Sequence, residues 1–352
     1  MEKLQRDFLE SLISAPSPAG YEQPVRQVYH AYTESFADDV RSDVHGNMIA
    51  VRNTDGNPRL MFAGHCDELG FQVNYINDQG FIYFNTIGGH DAGLVPGRRV
   101  VIHSKNGPVV GVTGRKAIHL TPPSDRGKPA KIENIWIDIA VSDKQEAEAL
   151  VNIGDPITYD VGLQDLRSDV VAGRALDNKI GTWVVAEGLR RASTQQLQAS
   201  IHAVATVQEE IGLRGAETSA YGINPAVAIA VDVTHATDHP NITKQTAGDV
   251  KLGGGPTISR GPNFNPRVVE KLIEAAEALN IPYQLEAASR GTGTDANAIQ
   301  LSRAGVATGL VSVPLRYMHT PSEVVALDDA DAAATLLAEF ANRLAPEDDF
   351  TP

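Results

Sequence analysis

Residues Ile201–Glu210 read IHAVATVQEE, an apolar run that reaches two adjacent carboxylates, Glu209 and Glu210. A run of Ala, Val and Ile this continuous predicts a strand buried on both faces, the signature of a largely parallel sheet. Three other runs end in the same manner. RLMFAG leads into His65, with Asp67 two residues on; AVAIAV (Ala226–Val231) leads into Asp232; VATGLVSVPL leads through Arg316 to His319. A fifth polar residue, Asp177 in ALDNK, precedes a segment of helical spacing (Ile180, Trp183, Val184, Leu189). Ligands of open α/β sheets bind outside the carboxyl ends of the strands, so five distant segments deliver His, Asp, Glu, Asp and His to one rim.

Taken singly, each residue has a plain structural reading: a satisfied histidine, a helix-capping aspartate, a solvated glutamate. Together they pose an electrostatic problem. Carboxylates ~4 Å apart repel by roughly 4 kcal/mol at an effective dielectric near 20. The sequence places no matching set of Lys or Arg beside Asp177, Glu209, Glu210 and Asp232. Two divalent cations would cancel the four charges, and two neutral imidazoles complete an N/O donor set suited to Zn²⁺ or Co²⁺.

Composition narrows the class. The chain has 352 residues, 42% hydrophobic and 21% charged, enough for a sizeable core. With 30 basic against 44 acidic residues the formal charge is −14, which argues against nucleic acid or an anionic membrane as partner. No apolar run reaches the ~18–20 residues of a membrane span, and the first 22 residues lack the apolar core of a secretory signal. The single cysteine, Cys66, excludes an intrachain disulfide framework. These features predict a cytoplasmic protein.

The organisation changes along the chain. Helical spacing (Leu4, Phe8, Leu9, Leu12, then Val25–Tyr32) and a strand at 47–52 open it. FQVNYI, FIYFNTI, RVVIHS and PVVGVTG follow as short β-prone runs divided by turn residues, the texture of a small barrel or sandwich. Helix and strand then alternate to a final helix over 328–344. The expected architecture is an α/β domain formed by 1–68 and 165–352, its mostly parallel sheet flanked by helices, with a small β-barrel or PDZ-like domain inserted at 69–164. HATDH (His235–His239) has the i,i+4 spacing of a zinc helix, but Pro240 follows at once, so both histidines are read as loop residues.

Six motifs, in this order and at these separations, carry a resemblance: GHCDELG (64–70), ALDNK (175–179), VQEEIGLRGA (207–216), AVDVTHATD (230–238), GTGTDANAI (291–299) and YMHTPSE (317–323). As a set they resemble the tetrahedral aminopeptidases, peptidase family M forty-two, some members of which carry an endoglucanase label. The resemblance implies a dinuclear zinc exopeptidase fold. It implies one ion held by His65, Asp177 and Asp232 and a second by Asp177, Glu210 and His319, with Asp177 bridging. It further implies Glu209 as general base, Asp67 orienting His65, and a cis Asp177–Asn178 bond. Peptides with a free N-terminus are the implied substrates, and self-association into a homo-dodecamer of dimers, through the inserted domain, the implied assembly. The RGTGTDAN loop would border the pocket for the first side chain; an inward Arg290 there would favour acidic residues, and a solvated one would not. A related dinuclear amidohydrolase or dipeptidase fits the LDNK and QEE segments too. A glycoside hydrolase using two carboxylates is the alternative from another class, poorly served by 6% aromatic content.

Overall fold

A computed structural model describes residues 2–352 and shows a mixed α/β domain carrying a closed six-stranded barrel. The central strands are those the apolar runs predict. Ser200–Thr206, Arg59–His65, Val227–His235 and Ala307–Arg316 lie side by side and parallel. Every residue of Ser200–Thr206 is buried, as are the first eight of Val227–His235, because helices cover both faces of a parallel sheet. Antiparallel strands extend this core to eleven, with Met48–Arg52 and Asp39–Ser42 at one side and Glu323–Ala326, Val170–Gly173 and Gln164–Asp165 at the other. Thr257–Arg260 pairs with Ala307–Arg316 and carries Gln284–Ala287 beside it.

The first helix, Lys3–Ser14, buries Phe8, Leu9 and Leu12, but Leu4 is exposed and Gln5 takes its place on the inner face. The final helix runs Leu327–Asn342, close to the expected span. His235 differs from expectation: it is the last residue of the strand Val227–His235, not a loop residue, whereas His239 lies in the following loop. Among the described residues no helix is long and apolar enough to cross a membrane.

The barrel closes through Gly70–Ile76, Ile82–Ile87, Trp136–Asp138, Gly107–Gly114, Arg99–Ser104 and Pro156–Tyr159. It encloses its own core around Phe71, Phe84, Val100, Ile102, Ile137 and Ile157. Its first strand starts five residues after His65, so the barrel leaves the sheet at the rim where the polar residues gather.

One close approach fixes the helix that carries Asp177. Leu176–Ala192 packs directly on the strand Arg59–His65, and at their crossing Gly64 and Gly181 bring backbone against backbone. A Cβ on Gly64 would stand 2.8 Å from both the carbonyl carbon and oxygen of Gly181, groups that cannot swing aside as a side chain could. Gly64→Ala is therefore expected to cost about 1–3 kcal/mol of overpacking. Thermal and urea unfolding of the variant would measure it, and an unchanged midpoint would refute the close-packing argument.

Candidate metal centre

The parallel register sets the site. His65 ends its strand opposite Thr206, and three residues beyond Thr206 the chain presents Glu209 and Glu210. Asp232 is the sixth residue of its nine-residue strand, level with Ser312, and His319 follows the neighbouring strand's end. Asp177 reaches the rim from the start of the Leu176–Ala192 helix, where Asp177 and Asn178 depart from helical dihedrals and the Asp177–Asn178 bond is cis. Several turns that aim these residues are left-handed without glycine: Ala175 (φ 57°), Gln208 (56°), Tyr317 (63°) and His319 (61°). Each such residue costs on the order of 1 kcal/mol and persists because surrounding contacts enforce it.

All six residues converge. Asp177 presents one oxygen to each imidazole: Oδ1 lies 3.3 Å from His65 Nε2 and Oδ2 lies 3.3 Å from His319 Nε2. His65 Nε2 is also 3.8 Å from Asp232 Oδ1 and from Glu209 Oε2, while His319 Nε2 is 3.8 Å from Glu210 Oε2. Ligand atoms of His65, Glu209 and Asp232 lie within 4.8 Å of one another, and so do those of His65, Asp177 and Glu210. The carboxylates and His65 are at most 8% exposed, whereas His319 is 40% exposed and forms the open side. His65 Nδ1 sits 3.2 Å from the Asp67 carbonyl; a proton donated there leaves Nε2 bare toward the cluster.

Protein groups alone do not neutralise this crowd. Burial, joined by the neighbouring carboxylates, pushes Glu209 up to about 10, Glu210 to about 9 and Asp232 to about 8. Asp177 goes the other way: burial opposes ionisation, but hydrogen bonds from His319 and His65 hold it below its ordinary value. His65 is raised well above its usual range, the charge of Glu209 and bonds to Asp177 and Asp67 overcoming its burial. Glu210 Oε1 is buried with no hydrogen-bond partner. An N/O donor set with an orphaned buried oxygen and four crowded acids fits divalent cations.

Two buried acids organise the donors through the main chain. Asp67 accepts the amides of Glu209 (3.0 Å) and Glu210 (3.1 Å), and its carboxylate lies 3.5 Å from His65 Nδ1. Glu323 accepts the amides of Asp177 and His319, both at 2.9 Å. Glu323 stands four residues beyond His319 in YMHTPSE, where its spacing alone does not signal this role. Glu68 and Lys179, from the GHCDELG and ALDNK motifs, form a buried ion pair at 2.9 Å, joined by Arg174. Arg174 and Lys179 outweigh burial to hold Glu68 down to about 2, while burial lowers Lys179 to about 8. Asn178 Nδ2 donates to the Val231 carbonyl at 2.8 Å, tying the Asp177 segment to the strand that carries Asp232. Asp295, within GTGTDANAI, accepts from Thr206 Oγ1 at 2.5 Å, and burial raises it to about 6.

A model of the M42 glutamyl aminopeptidase family matches residues 46–336. The chain belongs to this family of aminopeptidases. It is 34% identical to the lysyl aminopeptidase of Pyrococcus furiosus, over 98% of this chain and 99% of that one. The TET aminopeptidase structure from the marine sediment archaeon Thaumarchaeota archaeon SCGC AB-539-E09 superposes with a TM-score of 0.93 at 34% identity, covering 97% of this chain and 96% of that one. The Pyrococcus horikoshii TET1 peptidase, which can assemble into a tetrahedron or a large octahedral shell, superposes with a TM-score of 0.86 at 30% identity, over 97% and 100% of the chains. This M42 protein is thus a peptide-bond hydrolase, and its cluster stands at the carboxyl rim of the sheet.

The cluster forms the inner wall of a cleft of about 380 Å³. Thr292, Gly293 and Thr294 line it, as expected of the RGTGTDAN loop, but Arg290 is exposed and outside it. No Phe, Tyr or Trp is among its lining residues, so a sugar-stacking platform is missing from the described residues of the cleft.

The raised carboxyl groups carry a pH consequence. Folded Glu209, Glu210 and Asp232 bind protons that the unfolded chain has already released above pH ~4–5, so folding of ion-free protein takes up protons. Its stability should fall as pH rises from 5.5 to 8.5; the raised His65 acts in the same direction. A divalent ion held by these groups would displace the protons, so saturating Zn²⁺ should reverse the slope. Unfolding midpoints of chelator-stripped and reloaded protein across this range test it, and an ion-free midpoint that climbs with pH would contradict the charge balance.

Proposed function

We propose that this M42 aminopeptidase uses two divalent ions, zinc or cobalt, with His65, Asp177 and Asp232 holding one and Asp177, Glu210 and His319 the other. The observation that carries the reading is the split carboxylate of Asp177, one oxygen 3.3 Å from each of two imidazole nitrogens. A residue so placed serves both positions at once.

Bound there, the ions would polarise the scissile carbonyl and lower the pKa of the attacking water. Glu209 is the proposed general base, taking a proton from that water at Oε2 and returning it to the departing amine. Its place supports the role: it is adjacent to ligand Glu210, fixed through its amide by Asp67, and beside His65 on the cleft wall. The acidic wall favours a substrate ammonium, which only a free N-terminus brings to the first peptide bond. Asp67 and Glu323 hold the donors still while this happens.

The same reading proposes a cytoplasmic enzyme that self-associates, with a homo-dodecamer built from dimers as the end state. The assembly of the P. horikoshii TET1 relative supports it, as do apolar side chains exposed on the inserted domain, including Tyr75 (51%), Val110 (60%) and Leu120 (71%). Residues 69–164 are proposed to supply subunit contacts.

Glu209→Gln should keep its metal content while kcat on aminoacyl-p-nitroanilides drops at least ~10²-fold. Near-normal turnover would remove Glu209 from the role. Chelation with EDTA should abolish hydrolysis and Zn²⁺ or Co²⁺ restore it; activity in metal-free protein would defeat the dinuclear reading. Light scattering that returns a monomer would exclude the assembly.

A further inference from the structure

Beyond the metal cluster the cleft lining is nearly uncharged. Thr234, Ser259, Ala288, Thr292, Leu310 and Met318 contribute hydroxyls and apolar surface, and neither lysine nor arginine lines the cleft. One carboxylate stands among them. Glu286, on the strand Gln284–Ala287, accepts Thr234 Oγ1 at Oε1 (2.8 Å) and Thr257 Oγ1 at Oε2 (3.1 Å). Each oxygen thus spends one acceptor position on a hydroxyl and keeps another free, and the two bonds fix the carboxylate in place.

We propose that Glu286 makes this enzyme select peptides whose N-terminal side chain is a cation, lysine or arginine. The inference rests on the aminopeptidase reading and adds the side-chain class. Distance supports it. Asp232 and Thr234 are two apart on one strand, so they share a face about 6.5 Å from each other. Glu286, bonded to Thr234, therefore lies one strand step outward from the proposed ion ligand. A lysine side chain spans five bonds from Cα, on the order of 6 Å, and bridges that gap when its own carbonyl sits at the ions. Leu310 and Met318 suit the methylene stem, which packs on apolar surface while its head meets charge. A glutamate side chain would bring its carboxylate against Glu286 with neither lysine nor arginine lining the cleft to offset it, Arg290 being exposed and outside the lining.

The test compares metal-loaded enzyme on the p-nitroanilides of lysine, arginine, norleucine, leucine and glutamate. Norleucine has lysine's stem without its charge, so the pair isolates the contribution of Glu286. Wild type should show kcat/KM at least tenfold higher for lysine than for norleucine and at least 100-fold higher than for glutamate, mainly through KM. In Glu286→Gln the lysine-to-norleucine ratio should collapse toward one; Glu286→Lys should raise the ratio of glutamate to lysine. A wild type that prefers norleucine, leucine or glutamate overturns the proposal, as does a Glu286→Gln enzyme with an undiminished lysine ratio. Should the variants misfold, the wild-type ratio and competitive inhibition by lysinamide against norleucinamide decide alone. Cleavage of none of the five would instead overturn the aminopeptidase reading itself.

Discussion

The carboxylate of Asp177 is shared between His65 and His319, and most of the fold's unusual features bear on where that one group stands. Its helix must start at the sheet rim, which the Gly64–Gly181 contact permits by letting helix and strand approach backbone to backbone. Its segment is anchored on one side by Lys179 to Glu68 and on the other by Asn178 to the Val231 carbonyl. Its amide is fixed by Glu323. Remove any of these and the carboxylate moves as a unit, so its two oxygens lose their alignment with the two imidazoles.

The sheet's long apolar runs were legible because parallel strands bury both faces, leaving a composition that no exposed segment imitates. The rim residues were legible for a related reason: a charged group directly after such a run sits where sheets of this kind bind ligands. What escaped the sequence were groups whose importance lies in hydrogen bonds rather than in charge placement. Glu323 resembles any acid in a turn until its two oxygens are seen meeting amides of residues 146 and four positions away. Glu68 and Lys179 lie in motifs separated by more than a hundred residues, and nothing in either motif announces the other. Glu286 falls in a short, half-exposed strand with no periodicity to mark which of its side chains enters the cleft. His235, assigned to a loop because Pro240 follows HATDH, instead finishes a strand; the proline ends helical propensity without ending the sheet pairing of His235 with Leu315.

The inserted barrel begins five residues after His65, and its loop at Gly89 comes close to His319, where an added Cβ would lie 3.7 Å from Nδ1. The open side of the cluster is therefore walled partly by the barrel. Its core is separate from that of the sheet domain.

Asp67 and Glu323 between them clasp the peptide nitrogens of Glu209, Glu210, Asp177 and His319. The scaffold of the donor cage is consequently written in main-chain bonds, which survive when the guest departs. Small zinc domains collapse on demetallation because nothing else orders their ligands; a cage braced in this way is ordered by the fold itself, so an ion it takes would not be needed to hold it together.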